Sequence, residues 1–158
     1  MTSKRLALAI LYCDSKICIS RNYQLQFLGD YNWLENKFNL ASILAHIDEI
    51  ILINASTDEY LTSTVPDICF EQLLERIISS IRIPITVGGN IKSLDVAGLL
   101  FRQGADRILL RSCLAEAKLV KDIQRVYGDQ AILGWIDYAN NHTWQEKSGK
   151  ILSINELN

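Results

Sequence analysis

The stretch IPITVGGNIKSLDVAGLLFRQGADRILLRS, residues 83–112, decides the fold. Pro84–Val87 is a short apolar run of strand type, and Gly88-Gly89 follows it at once. Ser93 stands where a helix N-cap belongs, ahead of a helix reaching about Gln103, and Gly104 is a natural helix stop. Arg107–Leu110 is then a second apolar strand. A strand, a helix and a strand that are apolar throughout imply parallel pairing through a right-handed crossover.

The same alternation extends in both directions. Upstream, Leu6–Cys13 reads as a buried strand, Asp14-Ser15 as a turn and Lys16–Arg21 as a return strand. Trp33, Leu34, Phe38, Ala41, Ile43 and Leu44 recur at helical spacing, which predicts one helix over Asn32–His46. Glu49–Asn54 is a β-branched run patterned for burial on both faces. Asp67–Ile81 has the i, i+3, i+4 period of a helix, with Pro66 in the first turn. Downstream, Ala115–Tyr127 reads as a helix closed by Gly128, and Ala131–Ile136 as a fifth strand ending on Asp137. The polar tail 140–158 is expected to be irregular or a hairpin turning near Ser148-Gly149. The chain is thus α/β, about five parallel βα units in a single domain. An open doubly wound sheet and a TIM-type (βα)₈ barrel both fit that pattern.

Composition excludes several function classes. With 49% hydrophobic and 22% charged residues the chain has the material for an ordinary folded core rather than a disordered segment. A net charge of −2 gives no basic face for nucleic acid. Asp14 and Lys16 interrupt the first apolar run, so it reads as a strand and not a signal peptide. No run approaches the roughly 18 apolar residues of a membrane span. Cys13, Cys18, Cys69 and Cys113 lack metal-type spacing and read as reduced, near-core residues of a cytoplasmic protein. His46 and His142 have no partner pattern, so neither a metal nor another cofactor is expected.

The strand ends carry the candidate chemistry. Gly88, Gly89 and Asn90 lie between a buried strand and a helix N-terminus, where backbone N–H groups can approach an anion. Arg111 and Ser112 end the neighbouring strand, about 5 Å away in a parallel sheet, and Arg111 can grip the same anion. A plain tight turn, a surface ion pair for Arg111 and a helix cap at Ser112 are the structural alternatives. Asp137 stands at the mouth formed by the strand ends, where partial burial suits a carboxylate to proton transfer.

The order RLALAILYCDSKICIS, FLGDYNW, IDEIILINAS, IPITVGGNIKSLDVAGLLFRQGADRILLRS and YGDQAILGWID resembles the cyclase subunit of imidazole glycerol phosphate synthase, from Arg5 to about Asp137. The resemblance implies a (βα)₈ barrel, a phosphorylated nucleotide-derived substrate and a glutaminase partner that supplies ammonia. It implies catalytic aspartates at the ends of the first and fifth strands. The second of these falls on Asp137. The first falls on Leu11 in an ungapped alignment, and a shift of three residues would recover Asp14. The family's lysine in the return strand falls near Ile19, and its second-strand aspartate on Asn54. Its third glycine falls on Asn90 and its phosphate-contacting asparagine on Arg111. Loss of the first-strand aspartate resembles a paralogous branch that works with a glutaminase in the amidation of bacterial surface sugars. A full barrel takes about 250 residues, so a five-unit sheet is expected to be a partial barrel: a truncated product, a half-barrel that self-associates through its open edge, or a fragment completed by another chain.

Overall fold

The computed structural model describes residues 5–22, 24–56, 68–114, 116–139, 142–144 and 151–153. One seven-stranded sheet organises them, in the order β3-β2-β1-β4-β5-β6-β7. Its strands are β1 (Ala7–Cys13), β2 (Lys16–Arg21), β3 (Gln24–Gly29), β4 (Glu49–Asn54), β5 (Ile85–Gly88), β6 (Arg107–Leu110) and β7 (Ile132–Gly134). From β1 through β7 by way of β4, β5 and β6, every neighbour is parallel. The β2–β3 hairpin adds two antiparallel strands beside β1. This is the partial TIM-type barrel that the resemblance implies.

Among the described residues five helices cross over on one side: α1 (Tyr31–Asn36), α2 (Leu40–Leu44), α3 (Ile68–Ser80), α4 (Leu94–Arg102) and α5 (Ala117–Tyr127). The register settles which strand residues they cover. Tyr12 packs at a tilt against Phe70 of α3, ring centroids 5.4 Å apart, and strand neighbours of one parity share a face. Ile10, Ile50, Leu52, Ile85, Val87, Ile108 and Leu110 therefore face the helices, and all are buried. They meet Leu73, Leu74 and Ile77 of α3, Ala97 and Leu100 of α4, and Ile123 of α5 in one core.

Two aspartates stitch the lower ends of the strands. Asp48 accepts from the backbone N–H of Leu6 at 2.7 Å, and Asp106 from that of Ile85 at 2.8 Å. Each precedes a strand and satisfies a backbone donor at the start of the strand beside it, Leu6 just ahead of β1 and Ile85 at the head of β5.

Several boundaries differ from the sequence reading. The single helix expected over Asn32–His46 is two, because Asn39 adopts the left-handed conformation (φ 54°) and breaks the hydrogen-bond ladder. Asparagine tolerates that conformation better than most side chains. Strand β3 has no counterpart in the sequence reading. Its alternation Gln24-Leu25-Gln26-Phe27 is the signal that would have found it. The fifth parallel strand ends at Gly134, with Asp129–Ala131 before it in a 3₁₀ turn. Asp137 instead opens β8 (Asp137–Ala139), which pairs antiparallel with β9 (His142–Trp144), itself paired with β10 (Ile151–Ser153). Pro66 and Ser148-Gly149 fall outside the described residues.

Candidate functional site

All five parallel strands end on one rim, and the candidate residues distribute along it. At the β1 end, Asp14 and Ser15 both have positive φ (49° and 64°), the signature of a two-residue type I′ hairpin. The Asp14 backbone N–H donates to Ser56 Oγ at 3.3 Å, and the Ser56 N–H donates to Asn54 Oδ1 at 3.1 Å. Ala55 N–H donates to the Tyr12 carbonyl at 2.7 Å. These bonds fasten the hairpin turn to the segment after β4. One oxygen of Asp14, Oδ1, is buried without a hydrogen-bond partner, and a buried acceptor in that condition calls for a donor.

The next strand end is the glycine turn. Gly88 lies against Leu109, so closely that a Cβ there would sit 2.8 Å from the Leu109 Cβ. Gly89 has φ +94°, and its virtual Cβ falls 2.0 Å from the Asn54 carbonyl oxygen. Asn90 follows at φ 56°. Glycine is thus required twice, once for space and once for space and conformation together. Ser93 Oγ then accepts from the Val96 N–H at 3.3 Å and caps α4. The turn and the capped helix start that the sequence predicts are both in place, three residues apart.

Because Gly88 pairs with Leu109, Asn90 and Arg111 each stand two residues beyond that pair, on adjacent strand ends. Arg111 and Ser112 are both exposed. Ser112 does not cap the following helix, which starts at Ala117 with Glu116 in the cap position. The fold therefore gathers Gly88, Gly89, Asn90, Arg111 and Ser112 into one neighbourhood. Asp14 follows the first parallel strand of the array and Asp137 lies three residues beyond the last, in the separate three-stranded sheet. Two shallow clefts among the described residues lie away from the glycine turn. One is lined by Glu71, Gln72, Glu75 and Gln103, the other by residues that include Tyr12, Asp30 and Arg76.

Sequence reasoning missed the Ser56–Asn54 bridge, because a serine after an apolar run has no periodicity to flag it. It also missed a polar group on the lower part of the helix-free face. There Glu49 Oε1 accepts from the Thr86 hydroxyl at 2.5 Å and pairs with Arg107 at 2.7 Å.

Cys13, Cys18 and Cys113 are buried and free. The Cys13 thiol is pushed up to about 11, first by burial and then by the Asp14 carboxylate beside it. Burial likewise raises Cys18 and Cys113. The folded chain keeps these protons where the unfolded chain starts to release them, near the ordinary value of 9.0. Stability is expected to be fully present below that pH and to fall as pH rises through about 11. A series of urea unfolding curves across that window, repeated on Cys13→Ala, measures it. The variant's loss should be shallower.

Among the described residues no group of three or more His, Cys, Asp or Glu side chains is placed to hold a metal ion. No helix there is long and apolar enough to cross a membrane.

Comparison with known proteins agrees with this geometry. The putative imidazole glycerol phosphate synthase subunit hisF2 of Parasynechococcus marenigrum is 36% identical over 143 residues, 90% of this chain and 51% of the relative. The imidazole glycerol phosphate synthase subunit HisF of Exiguobacterium sibiricum is 40% identical over 91 residues, 57% of this chain and 34% of the relative. That of Methanococcus maripaludis is 24% identical over 144 residues, 90% of this chain and 50% of the relative. The chain spans about half the length, or less, of these curated relatives. A family model described as "Histidine biosynthesis protein" matches residues 68–156, more than half of the chain, and it takes in the glycine turn and the two parallel strands that follow it. With that match laid over the strand ends just described, the chain belongs to the histidine biosynthesis protein family and is related to its cyclase subunits.

Proposed function

We propose that this chain is a diverged cyclase-type module that binds a phosphorylated metabolite at its strand-end rim. It works in the cytoplasm beside a glutaminase subunit that supplies ammonia. Gly88, Gly89 and Asn90 present backbone N–H groups to the phosphate, the capped start of α4 adds partial positive charge, and Arg111 and Ser112 close on it from the adjacent strand end. Asp137, three residues beyond the fifth parallel strand, is the proton-transfer carboxylate, and Asp14 is the candidate at the first. No cofactor takes part.

The observation that carries this reading is the seating of Gly89 on the Asn54 carbonyl, next to the end of the Arg111 strand. The test is thermal unfolding with inorganic phosphate. At about tenfold over its Kd, phosphate stabilises the folded chain by about 1.4 kcal/mol, a rise in Tm of roughly 3–5 °C. Arg111→Ala should abolish the rise, and no shift at millimolar phosphate would sink the site.

A second reading is favoured by Leu11. It lies on the helix-free face between Cys18 and Ile53, where the resemblance calls for an aspartate and an alkyl group can move no proton. In that reading the chain is a non-catalytic glutaminase partner, such as one serving surface-sugar amidation. Incubation with ammonia and the phosphorylated nucleotide substrate separates the two. Substrate loss that Asp137→Asn abolishes supports the enzyme, and silence from both proteins supports the module. In either role the chain self-associates through its open sheet edge.

A further inference from the structure

One row of Cα partners crosses the helix-free face of the sheet from Phe27 through Leu11, Gly88 and Leu109 to Leu133. Side chains alternate along a strand, so the next row on that face stands two residues nearer the strand ends. Beyond β5, β6 and β7 it consists of Asn90, Arg111 and Trp135. Trp135 keeps this register although β7 ends at Gly134. Its backbone N–H donates to the Leu110 carbonyl at 2.8 Å and continues the ladder by one residue. The level of Trp135 on the rim is therefore set by β6, whatever lies on the far side of β7.

The backbone that carries the indole is also backed from behind. Gly134 turns its bare side toward the helices, and Leu114 packs there, its Cδ2 3.3 Å from the place a Cβ would take. A large flat side chain thus stands on a braced strand end, one strand away from Arg111.

Tryptophan offers a wide, flat apolar surface at little cost in conformational freedom. Small-molecule sites are built from such aromatic walls with a few polar groups that fix orientation. Here the polar groups are the backbone N–H groups after Gly88 and the Arg111 guanidinium. Two strand spacings, about 10 Å along the sheet, separate the glycine turn from Trp135, with Arg111 between them. A bare phosphate uses only the turn and the arginine. A phosphorylated ribose that bears a flat heterocycle uses all three, with its ring over the indole.

From this row we infer that Trp135 is the specificity-determining residue of the rim. Its indole stacks on the planar heterocycle of a ribonucleoside monophosphate whose phosphate lies at Gly88-Gly89 and Arg111. The inference rests on the phosphate reading proposed above and adds the ring to it.

Titration calorimetry of the whole chain with adenosine monophosphate and with ribose 5-phosphate tests it. The parent should bind the nucleotide about tenfold tighter, the order of gain that one base stacked on an aromatic side chain supplies. Trp135→Ala should remove that preference and Trp135→Phe should keep most of it, with ribose 5-phosphate affinity nearly unchanged in both. Equal affinity of the parent for the two compounds would overturn the inference and leave the phosphate site standing. So would a Trp135→Ala protein that keeps the preference, or one that weakens on both compounds alike. Binding of neither compound by the parent would end the phosphate reading, and adenosine then decides the stacking by itself. Quenching of tryptophan fluorescence by adenosine that Trp135→Phe abolishes supports it, and no quenching overturns it.

Discussion

Replacing Gly89 with alanine is expected to lower stability by about 3 kcal/mol or more and to erase the response to phosphate. Two penalties add at this position. The left-handed conformation at φ +94° costs a side-chain-bearing residue about 1–2 kcal/mol. The new Cβ would also fall 2.0 Å from the Asn54 carbonyl oxygen, which is backbone and cannot rotate away. Relieving that clash pushes β4 and β5 apart where Ile53 pairs with Gly88, at an overpacking cost of about 1–3 kcal/mol. Urea unfolding should show a lower midpoint with an unchanged slope. Gly88→Ala should do less, because the obstacle there is a leucine side chain that can shift. A Gly89→Ala protein as stable as its parent would mean that the turn is not held against β4 as described.

Glu49→Ala is the second large effect, expected at about 2–4 kcal/mol. Glu49 is 8% exposed, and Thr86, whose hydroxyl it accepts from, is fully buried. Removing the carboxylate leaves that hydroxyl without its acceptor and the Arg107 guanidinium without its counter-charge, in a place only part-open to water. Glu49→Gln should cost less, since an amide oxygen still accepts from Thr86 and Arg107 can turn toward solvent. If a double-mutant cycle of Glu49→Ala with Arg107→Ala shows no coupling, the pair contributes nothing to stability.

Much of this architecture is written locally. The strands Lys16–Arg21, Glu49–Asn54 and Arg107–Leu110 were legible to the residue. Each is a short apolar or β-branched run with a turn residue or a polar boundary beside it. The Ser93 cap was legible too, because a capping hydroxyl acts within three residues of itself. The split at Asn39 was not. One residue's choice between right- and left-handed backbone is worth only about 1–2 kcal/mol, and the apolar period runs on through the corner in Ala41, Ile43 and Leu44. The displacement of Asp137 from the end of the fifth strand was hidden for a similar reason. Trp135 and Ile136 continue the apolar run of AILGWI, yet the parallel pairing stops at Gly134, and both side chains are exposed.

By itself, the order of residues determined the alternation of strands and helices, the parallel direction of the strands and the family. Hydrophobic period and turn chemistry act over a few residues and need no knowledge of distant neighbours. Only the tertiary structure decided which residues share a face and which strand ends stand side by side. It aligned the row from Phe27 to Leu133 across strands up to about a hundred positions apart, joined Glu49 to Thr86 and Arg107, and set Gly89 on Asn54. Those relations depend on register, and register is fixed when the helix-facing side chains interlock in the core.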